Sequence, residues 1–208
     1  MAATSQGRRA KRRTQAERSA STREKVIQAV IDCIVEEGVQ NTTAARISQR
    51  SGVTWGATAH QFGDKDSVFM AVVEHNLDLM SKRMADSLSL EKHSPRERVE
   101  LLIDQSWEHC NIPSSLAYTQ LVLLSRNDPE GKLRDRQAQL TAEQSKAIWD
   151  HFFGDLAVDP QALETARNLV YATLLGMSIQ GMVGRRKPQF RRELDALKKL
   201  VLSTLDLE

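Results

Sequence analysis

The chain has 208 residues, of which 40% are hydrophobic, 27% charged and 5% aromatic. This is an ordinary composition for a soluble globular protein, so wholesale disorder and collagen-like repeats are excluded. No apolar run approaches the roughly eighteen residues that a membrane span requires, and no apolar segment follows the basic N-terminus as in a secretory signal. Because Cys33 and Cys110 are too few for a disulfide framework, we expect free thiols, a cytoplasmic location and no membrane partner.

The net charge of +2 conceals an uneven distribution. Residues 1–65 contain 11 Lys and Arg against 6 Asp and Glu, whereas the remainder contains 18 against 21. A basic arm ahead of a compact domain favours a polyanionic partner, which is DNA, RNA or an anionic membrane. A solubilising, disordered tail is the alternative explanation of this charge run. The densest basic run consists of Arg8, Arg9, Lys11, Arg12 and Arg13.

The first predicted helix follows this arm. Residues 1–20 are polar and have no periodicity, which predicts disorder in the free protein. Ser21 and Glu24 form a capping-box pattern that is typical of a helix start. Apolar residues then follow at helical spacing from Ile27 to Ile34, and a glycine ends the helix.

Three further helices are predicted at short intervals. The second starts at Thr42 or Thr43 and stops at Gly52, the third covers about 55–62 and the fourth about 65–88. Thr54 and Asp64 are the expected N-caps of the third and fourth helices. Short helices separated by a glycine-containing turn indicate a helix-turn-helix arrangement.

The remainder of the chain is predicted to be helical as well. No segment alternates with period two for long enough to make a strand, so the expected fold class is all-α. It consists of an N-terminal three-helix module joined through a long fourth helix to a C-terminal helical body. Apolar residues recur at helical spacing over about 99–110, 116–124, 132–153, 160–183 and 190–201.

An ordered series of motifs lies between residues 38 and 66. The segments 38–43 (GVQNTT), 47–48 (IS) and 51–56 (SGVTWG) are followed by 62–66 (FGDKD), an aromatic-x-x-Lys-acid element. Together these motifs resemble the second, third and fourth helices of the TetR/AcrR family of one-component transcriptional regulators. The resemblance implies a disordered basic arm over 1–20, a helix-turn-helix DNA-binding domain over 21–66, and a ligand-binding and dimerisation domain over 67–208.

Two positions depart from the family pattern. Ser48 stands where the family usually has Ala, and Ala59 stands where it usually has Tyr. That Tyr commonly binds a backbone phosphate, so this contact is expected to be absent or to move to His60 or Gln61, whose side chains also form hydrogen bonds.

The third helix has the length that fits a major groove. Its expected outward residues are Trp55, Thr58, His60 and Gln61, of which Gln61 can pair bidentately with adenine and Thr58 can place its methyl against a thymine methyl. Ala57 and Phe62 are expected to face the core. Thr43 and Lys65 lie at helix N-termini, which suit a phosphate. The predicted DNA-binding set is Arg8, Arg9, Lys11, Arg12, Arg13, Thr43, Thr54, Trp55, Thr58, His60, Gln61 and Lys65.

The resemblance implies that the body senses a small molecule and forms a homodimer through its last two helices, about 160–183 and 189–205. Small residues at Ala172, Gly176 and Gly181 permit close packing there. A two-fold dimer sets two recognition helices about one DNA turn apart on a palindromic operator. The candidate ligand-binding residues are Trp107, Cys110, Tyr118, Trp149, Phe152, Phe153, Tyr171, Leu175 and Met177.

The expected function is sequence-specific DNA binding by a transcriptional regulator, a repressor released by a small-molecule effector, in the nucleoid. An activator, a DNA-architectural protein without a sensor and a small helical enzyme are the alternatives. Enzymatic chemistry is disfavoured because residues 108–110 (EHC) lie in no known nucleophile signature. The five histidines lack metal-ligand spacing, so we expect no metal and no cofactor.

Overall fold

The computed structural model describes residues 14–85, 90–125, 132–184 and 189–207. The predicted basic arm, Arg8 to Arg13, lies outside these residues. Within them the chain forms nine α-helices and no strand, which confirms the all-α fold class. The helices are α1 (Gln15–Glu37), α2 (Ala44–Ser51), α3 (Trp55–Phe62), α4 (Lys65–Ala85), α5 (Pro95–Cys110), α6 (Pro113–Ser125), α7 (Lys132–Phe153), α8 (Pro160–Val183) and α9 (Arg191–Thr204).

Helix α1 begins six residues before the predicted start at Ser21. Its capping box is formed by Thr14, whose hydroxyl accepts the Glu17 amide, and by the Glu17 carboxylate, which accepts the Thr14 amide at 2.7 Å. The prediction of disorder up to residue 20 is therefore wrong for residues 15–20. This first stretch of the helix is exposed, so its caps rather than an apolar stripe define where it begins.

The predicted boundaries of α2 and α3 are confirmed. Thr43 and Thr54 are their N-caps, and each side-chain oxygen accepts a backbone amide three residues later. Gly52 ends α2 in the left-handed conformation, with φ of 69°, which a residue with a side chain rarely adopts. Asp64 accepts the Ser67 amide at 2.8 Å and thereby caps the start of α4. These contacts fix the turn between α2 and α3 and the entry into α4.

Two hydrophobic clusters form the core of the described residues. The first joins α1, α2 and the first half of α4 to α6, through residues such as Ile31, Ile47 and Leu121. The second joins the end of α4 to α5, α7, α8 and α9, through residues such as Met84 and Phe152. Helix α4 therefore packs in both clusters, and it connects them physically.

Candidate nucleic-acid interface and ligand cavity

Helix α3 presents one exposed face. Gly56, Ala57 and His60 are exposed, and Thr54 is exposed at the N-cap. A Cβ built on Gly56 would have no heavy atom within 4 Å, so the backbone there is open to close approach. The predicted outward placement of His60 is confirmed, whereas the placement of Ala57 in the core is wrong.

The opposite face of α3 packs inward and corrects two further predictions. Thr58 is fully buried, and its hydroxyl donates to the Thr54 carbonyl at 3.2 Å, so the predicted contact with a thymine methyl is wrong. Trp55 is partly buried and packs with Phe62 against the first core cluster, so it is not simply an outward residue. Positions 55, 58 and 62 share one side of a helix, and this spacing was visible in the sequence.

Gln61 is held by α1. Its side-chain amide donates to the Ser19 carbonyl at 2.9 Å and lies 3.3 Å from the Ser19 hydroxyl. The amide is therefore already engaged within the protein, which conflicts with the expected bidentate pairing to adenine. Ser19 belongs to the stretch that was predicted to be disordered, so this contact had no sequence signal.

Exposed cations of α2 are paired with the end of α1. Arg46 donates to Glu37 through Nε at 2.9 Å, and Arg50 contacts Glu36 at 2.5 Å. The hydrogen bonds from these guanidinium groups lower the pKa of both glutamates below the ordinary carboxyl value. Sequence reasoning did not single out these residues. The pairs hold α2 against α1, and α2 supports the turn that leads into α3.

Two predicted phosphate contacts lie at helix N-termini. Thr43 is exposed at the start of α2. Lys65 is the first residue of α4, and its Nζ lies 5.1 Å from the centroid of the Phe69 ring, a cation–π distance. Both placements agree with the prediction, and the phosphate contacts themselves remain predictions.

A cavity of about 130 Å³ lies among α4, α5, α6, α7 and α8. Five of the predicted ligand-binding residues line it, namely Cys110, Tyr118, Trp149, Tyr171 and Leu175. Burial raises the pKa of the Cys110 thiol to about 12, which keeps it protonated and unreactive at neutral pH. The other lining residues are Asn76, Leu77, Met80, Leu102, Ser106, His109, Ser115, Thr119, Thr141, Gln144, Ser145, Ile148, Arg167, Val170, Leu174 and Ser178.

Four predicted pocket residues do not line this cavity. Trp107 packs edge-to-face on Phe190 with 5.5 Å between ring centroids. Phe152, Phe153 and Met177 are buried in the second core cluster. Apolar residues at helical spacing occur both in a filled core and around a cavity, so spacing alone could not separate the two groups.

A second cavity of about 320 Å³ adjoins the first. The two share five lining residues, Tyr118, Thr141, Ser145, Arg167 and Tyr171. The second extends between α6, α7 and α8 and is also lined by Val122, Ser125, Arg134, Gln137, Ala138, Ala142 and Asn168. The two cavities therefore share a wall, and Arg167 belongs to that wall.

Several buried polar atoms in the cavity walls have no hydrogen-bond partner within the described part of the chain. They are both ring nitrogens of His109, the hydroxyl of Ser178 and the side-chain amide nitrogen of Gln137. Burial, together with the charge of Arg83, lowers the pKa of His109 to about 4, so this imidazole is neutral at neutral pH. An unpartnered buried polar group is unfavourable, and a bound molecule or water at these walls relieves it.

No helix of the described ranges is long and apolar enough to cross a membrane. Among the same residues no group of three His, Cys, Asp or Glu side chains is placed to hold a metal ion.

Comparisons with known proteins agree on one family. No family model matches the chain. A curated HTH-type transcriptional regulator, BetI 1 of Chromohalobacter salexigens, is 27% identical over 163 residues, which are 76% of this chain and 78% of that protein. A TetR-family transcriptional regulator from Rhodococcus sp. has a TM-score of 0.65 at 19% identity, covering 89% of this chain and 97% of that one. The transcriptional regulator FadR of Bacillus subtilis, solved with stearoyl-CoA, has a TM-score of 0.70 at 17% identity, covering 87% and 98%. With the helix-turn-helix geometry of α2 and α3, these likenesses support a transcriptional regulator of the TetR type.

Proposed function

We propose that this regulator is a dimeric repressor that binds a palindromic operator and is released by a small-molecule effector. The observation that carries the proposal is α4, which packs with the helix-turn-helix module at one end and lines the cavity further along. Val68 and Phe69 belong to the first core cluster, and Asn76, Leu77 and Met80 line the cavity. One rigid element therefore touches both candidate sites.

The DNA-binding side uses α3 and its flanks. Helix α3 is eight residues long, which suits the major groove, and the exposed His60 offers hydrogen bonds to base edges. Thr43 and Lys65 flank it at helix N-termini and position the module on phosphates. The basic run Arg8, Arg9, Lys11, Arg12 and Arg13 precedes this module in the sequence, and such a run of cations favours a polyanionic partner such as DNA.

The dimer side uses α8 and α9. Val183 is 82% exposed and Leu200 is 48% exposed, and Ala172 is exposed on the same helix as Val183. A Cβ added at Gly176 would meet no heavy atom within 4 Å, so this side of α8 has room for a partner helix. Pairing α8 and α9 of two copies buries these apolar side chains in a four-helix interface.

The effector side requires a difference between two states. A ligand releases DNA only when it binds the DNA-free arrangement more tightly than the DNA-bound one. Gln144, which lines the cavity, donates to the Leu77 carbonyl of α4 and lies 2.9 Å from the Ser81 hydroxyl. We propose that a ligand displaces this contact and shifts α4, which changes the spacing of the two α3 helices. A pair of structures with and without effector that show the same α3 spacing would contradict this mechanism.

The alternative functions predict different behaviour. An activator would bind the same operator but raise transcription, whereas an architectural protein would show weak sequence preference and no release by ligand. The relatives are transcriptional regulators rather than enzymes, and we propose no catalytic activity for this chain. A DNA partner places the protein at the nucleoid in the cytoplasm.

The deciding experiment is selection of bound fragments from a random duplex library, followed by affinity measurements over a range of salt concentrations. We expect an enriched palindrome with half-sites about one helical turn apart. Removing one phosphate contact through Lys65→Gln should lower the slope of log affinity against log salt by roughly 0.9. A steep salt dependence without an enriched sequence would contradict sequence-specific regulation and favour the architectural alternative.

A further inference from the structure

We propose that the effector is an amphipathic carboxylate, an apolar body that carries one negative charge and pairs with Arg167. This inference rests on the proposed function, since it assigns the effector to the cavity beside α4. It concerns the chemistry of the ligand, which neither the relatives nor the fold specifies for this chain.

The charge of the cavity walls supports an anion. Neither cavity is lined by an Asp or Glu among the described residues, whereas Arg167 lines both and Arg134 lines the second. His109 is neutral at neutral pH because burial lowers its pKa. Arg134 donates to Asp135 Oδ1 at 3.0 Å, so the positive charge that can meet an anion is that of Arg167.

Arg167 is poorly neutralised for a group so far removed from solvent. Its side chain is 22% exposed, and its Nη2 lies 3.8 Å from Glu164 Oε1, which is longer than a hydrogen bond. Glu164 itself is 65% exposed, so solvent screens this contact. A guanidinium in such a setting presents a fork of donors that matches the two oxygens of a carboxylate.

The first cavity accommodates an apolar body. Its walls include Met80, Leu102, Ile148 and Leu174, so they offer mostly hydrocarbon surface with a few polar groups. Ser178 lies eleven residues after Arg167 on α8, about 16 Å along the helix axis, since each helical residue adds 1.5 Å. The lining of the cavity is thus charged at Arg167 and polar at Ser178, and it is mostly apolar between these two residues.

A cationic effector fits these walls less well. Tyr118, Trp149 and Tyr171 offer aromatic faces that can attract a cation. However, Arg167 repels a cation at close range, and no lining carboxylate among the described residues offsets that repulsion. The same aromatic rings pack equally well against an uncharged apolar body, so the charge of the head group decides between the classes.

The test compares ligands that differ only in their head group. Octanoate, octanol and octylammonium form one matched set, and phenylpropionate, phenylpropanol and phenylpropylamine form a second with a different body. Binding to the full-length protein is measured by calorimetry and by fluorescence of Trp149, which lines the cavity. We expect the carboxylate of at least one set to bind at least tenfold more tightly than its alcohol and its amine.

Arg167→Gln tests the proposed partner, and Arg96→Gln, at an exposed arginine that does not line either cavity, is the matched control. Arg167→Gln should remove the preference for the carboxylate while the alcohol still binds, and Arg96→Gln should leave both affinities unchanged. Equal affinity for the three head groups, tighter binding of an amine, or no binding by either carboxylate overturns the proposal. So does a carboxylate preference that persists in Arg167→Gln.

Release of operator DNA is measured separately, so the two proposals fail in different ways. Carboxylate binding that leaves operator affinity unchanged supports the ligand class but contradicts effector-controlled release. Release of DNA by the alcohol or the amine alone supports the regulatory function but contradicts the ligand class.

Discussion

The helix-turn-helix module and the helical body differ in how completely they satisfy their own polar groups. In the module the buried Thr58 hydroxyl donates to Thr54, Arg46 and Arg50 are paired with glutamates of α1, and the Ser48 hydroxyl is the one buried side-chain group among the described residues there without a partner. In the body the buried His109 and Ser178 have no partner within the described residues and line a cavity. The module is therefore built to hold one shape while it meets DNA, whereas the body keeps unfilled space and unpartnered groups that suit a ligand.

The largest effect is expected from a comparison of a side chain in the packed core with a side chain that borders the cavity. Ile47 is fully buried between α2 and its neighbours, so Ile47→Ala should lower the free energy of unfolding by about 2–5 kcal/mol. Leu174 is also buried, but it faces the cavity and has fewer neighbouring atoms to lose. Leu174→Ala should therefore cost less than Ile47→Ala in urea unfolding. Equal losses would mean that the body is packed as tightly as the module.

A second test uses the buried histidine of the body. The pKa of His109 is about 4 in the folded protein and about 6.5 when unfolded, so the unfolded chain takes up the proton first as the pH falls. Stability contributed by the neutral imidazole is fully present above pH 6.5 and is lost between about pH 6.5 and 4, by about 3 kcal/mol in total. Urea unfolding at a series of pH values measures this loss.

His109→Gln should flatten the pH dependence in that range. The matched control is His60→Gln, at the exposed histidine of α3, and it should retain the slope. If both variants retain the slope, His109 takes up a proton in the folded state, and its surroundings are more polar than the structure indicates.

A third test concerns the exposed face of α3. His60 is exposed, so His60→Ala should weaken specific operator binding by about 1–3 kcal/mol, the usual range for one base contact. Gln61→Ala should change the sequence preference less, because the Gln61 amide is engaged with Ser19. Both affinities are measured on the selected operator and on a scrambled duplex. A larger loss of specificity in Gln61→Ala would mean that the amide leaves Ser19 when DNA binds.

The residues of the DNA-binding module show which contacts the sequence could and could not predict. The N-caps Thr54 and Asp64 were predicted correctly, and Thr43 was one of two predicted starts of α2, because a cap is a local contact within three residues. The inward position of Thr58 followed from its spacing to Trp55 and Phe62, and this signal was overlooked. The bond between Gln61 and Ser19 spans 42 residues, so no local pattern could reveal it.

The start of α1 gives a different lesson. Residues 14–17 (TQAE) have the same capping-box pattern as residues 21–24 (STRE), but only the second adjoins the apolar stripe. An exposed helix with good caps extends beyond its buried part, as the start of α1 at Gln15 shows.

The cavity was predicted in place but only partly in composition. Tyr118 and Trp149 line it, whereas Phe152 and Phe153 complete the core beside it. Spacing along a helix shows which side faces inward, but it does not show whether the space opposite is filled. The polar walls at His109 and Arg167 were missed because a search for apolar residues does not find polar ones.

The smallest expected effect is a gain in stability, and it also compares the body with the helix-turn-helix module. The Ser178 hydroxyl is buried without a partner among the described residues, so Ser178→Ala removes an unsatisfied group and should raise the free energy of unfolding by about 1 kcal/mol. Thr58→Val is the matched change in the module. It removes a hydroxyl that is hydrogen-bonded, so it should lower stability by about 0.5–1.5 kcal/mol. Opposite signs in thermal unfolding would show that the body gives up stability at the cavity wall and the module does not. A loss in Ser178→Ala would mean that this hydroxyl already has a partner, such as an ordered water, and that the cavity is satisfied before any ligand enters.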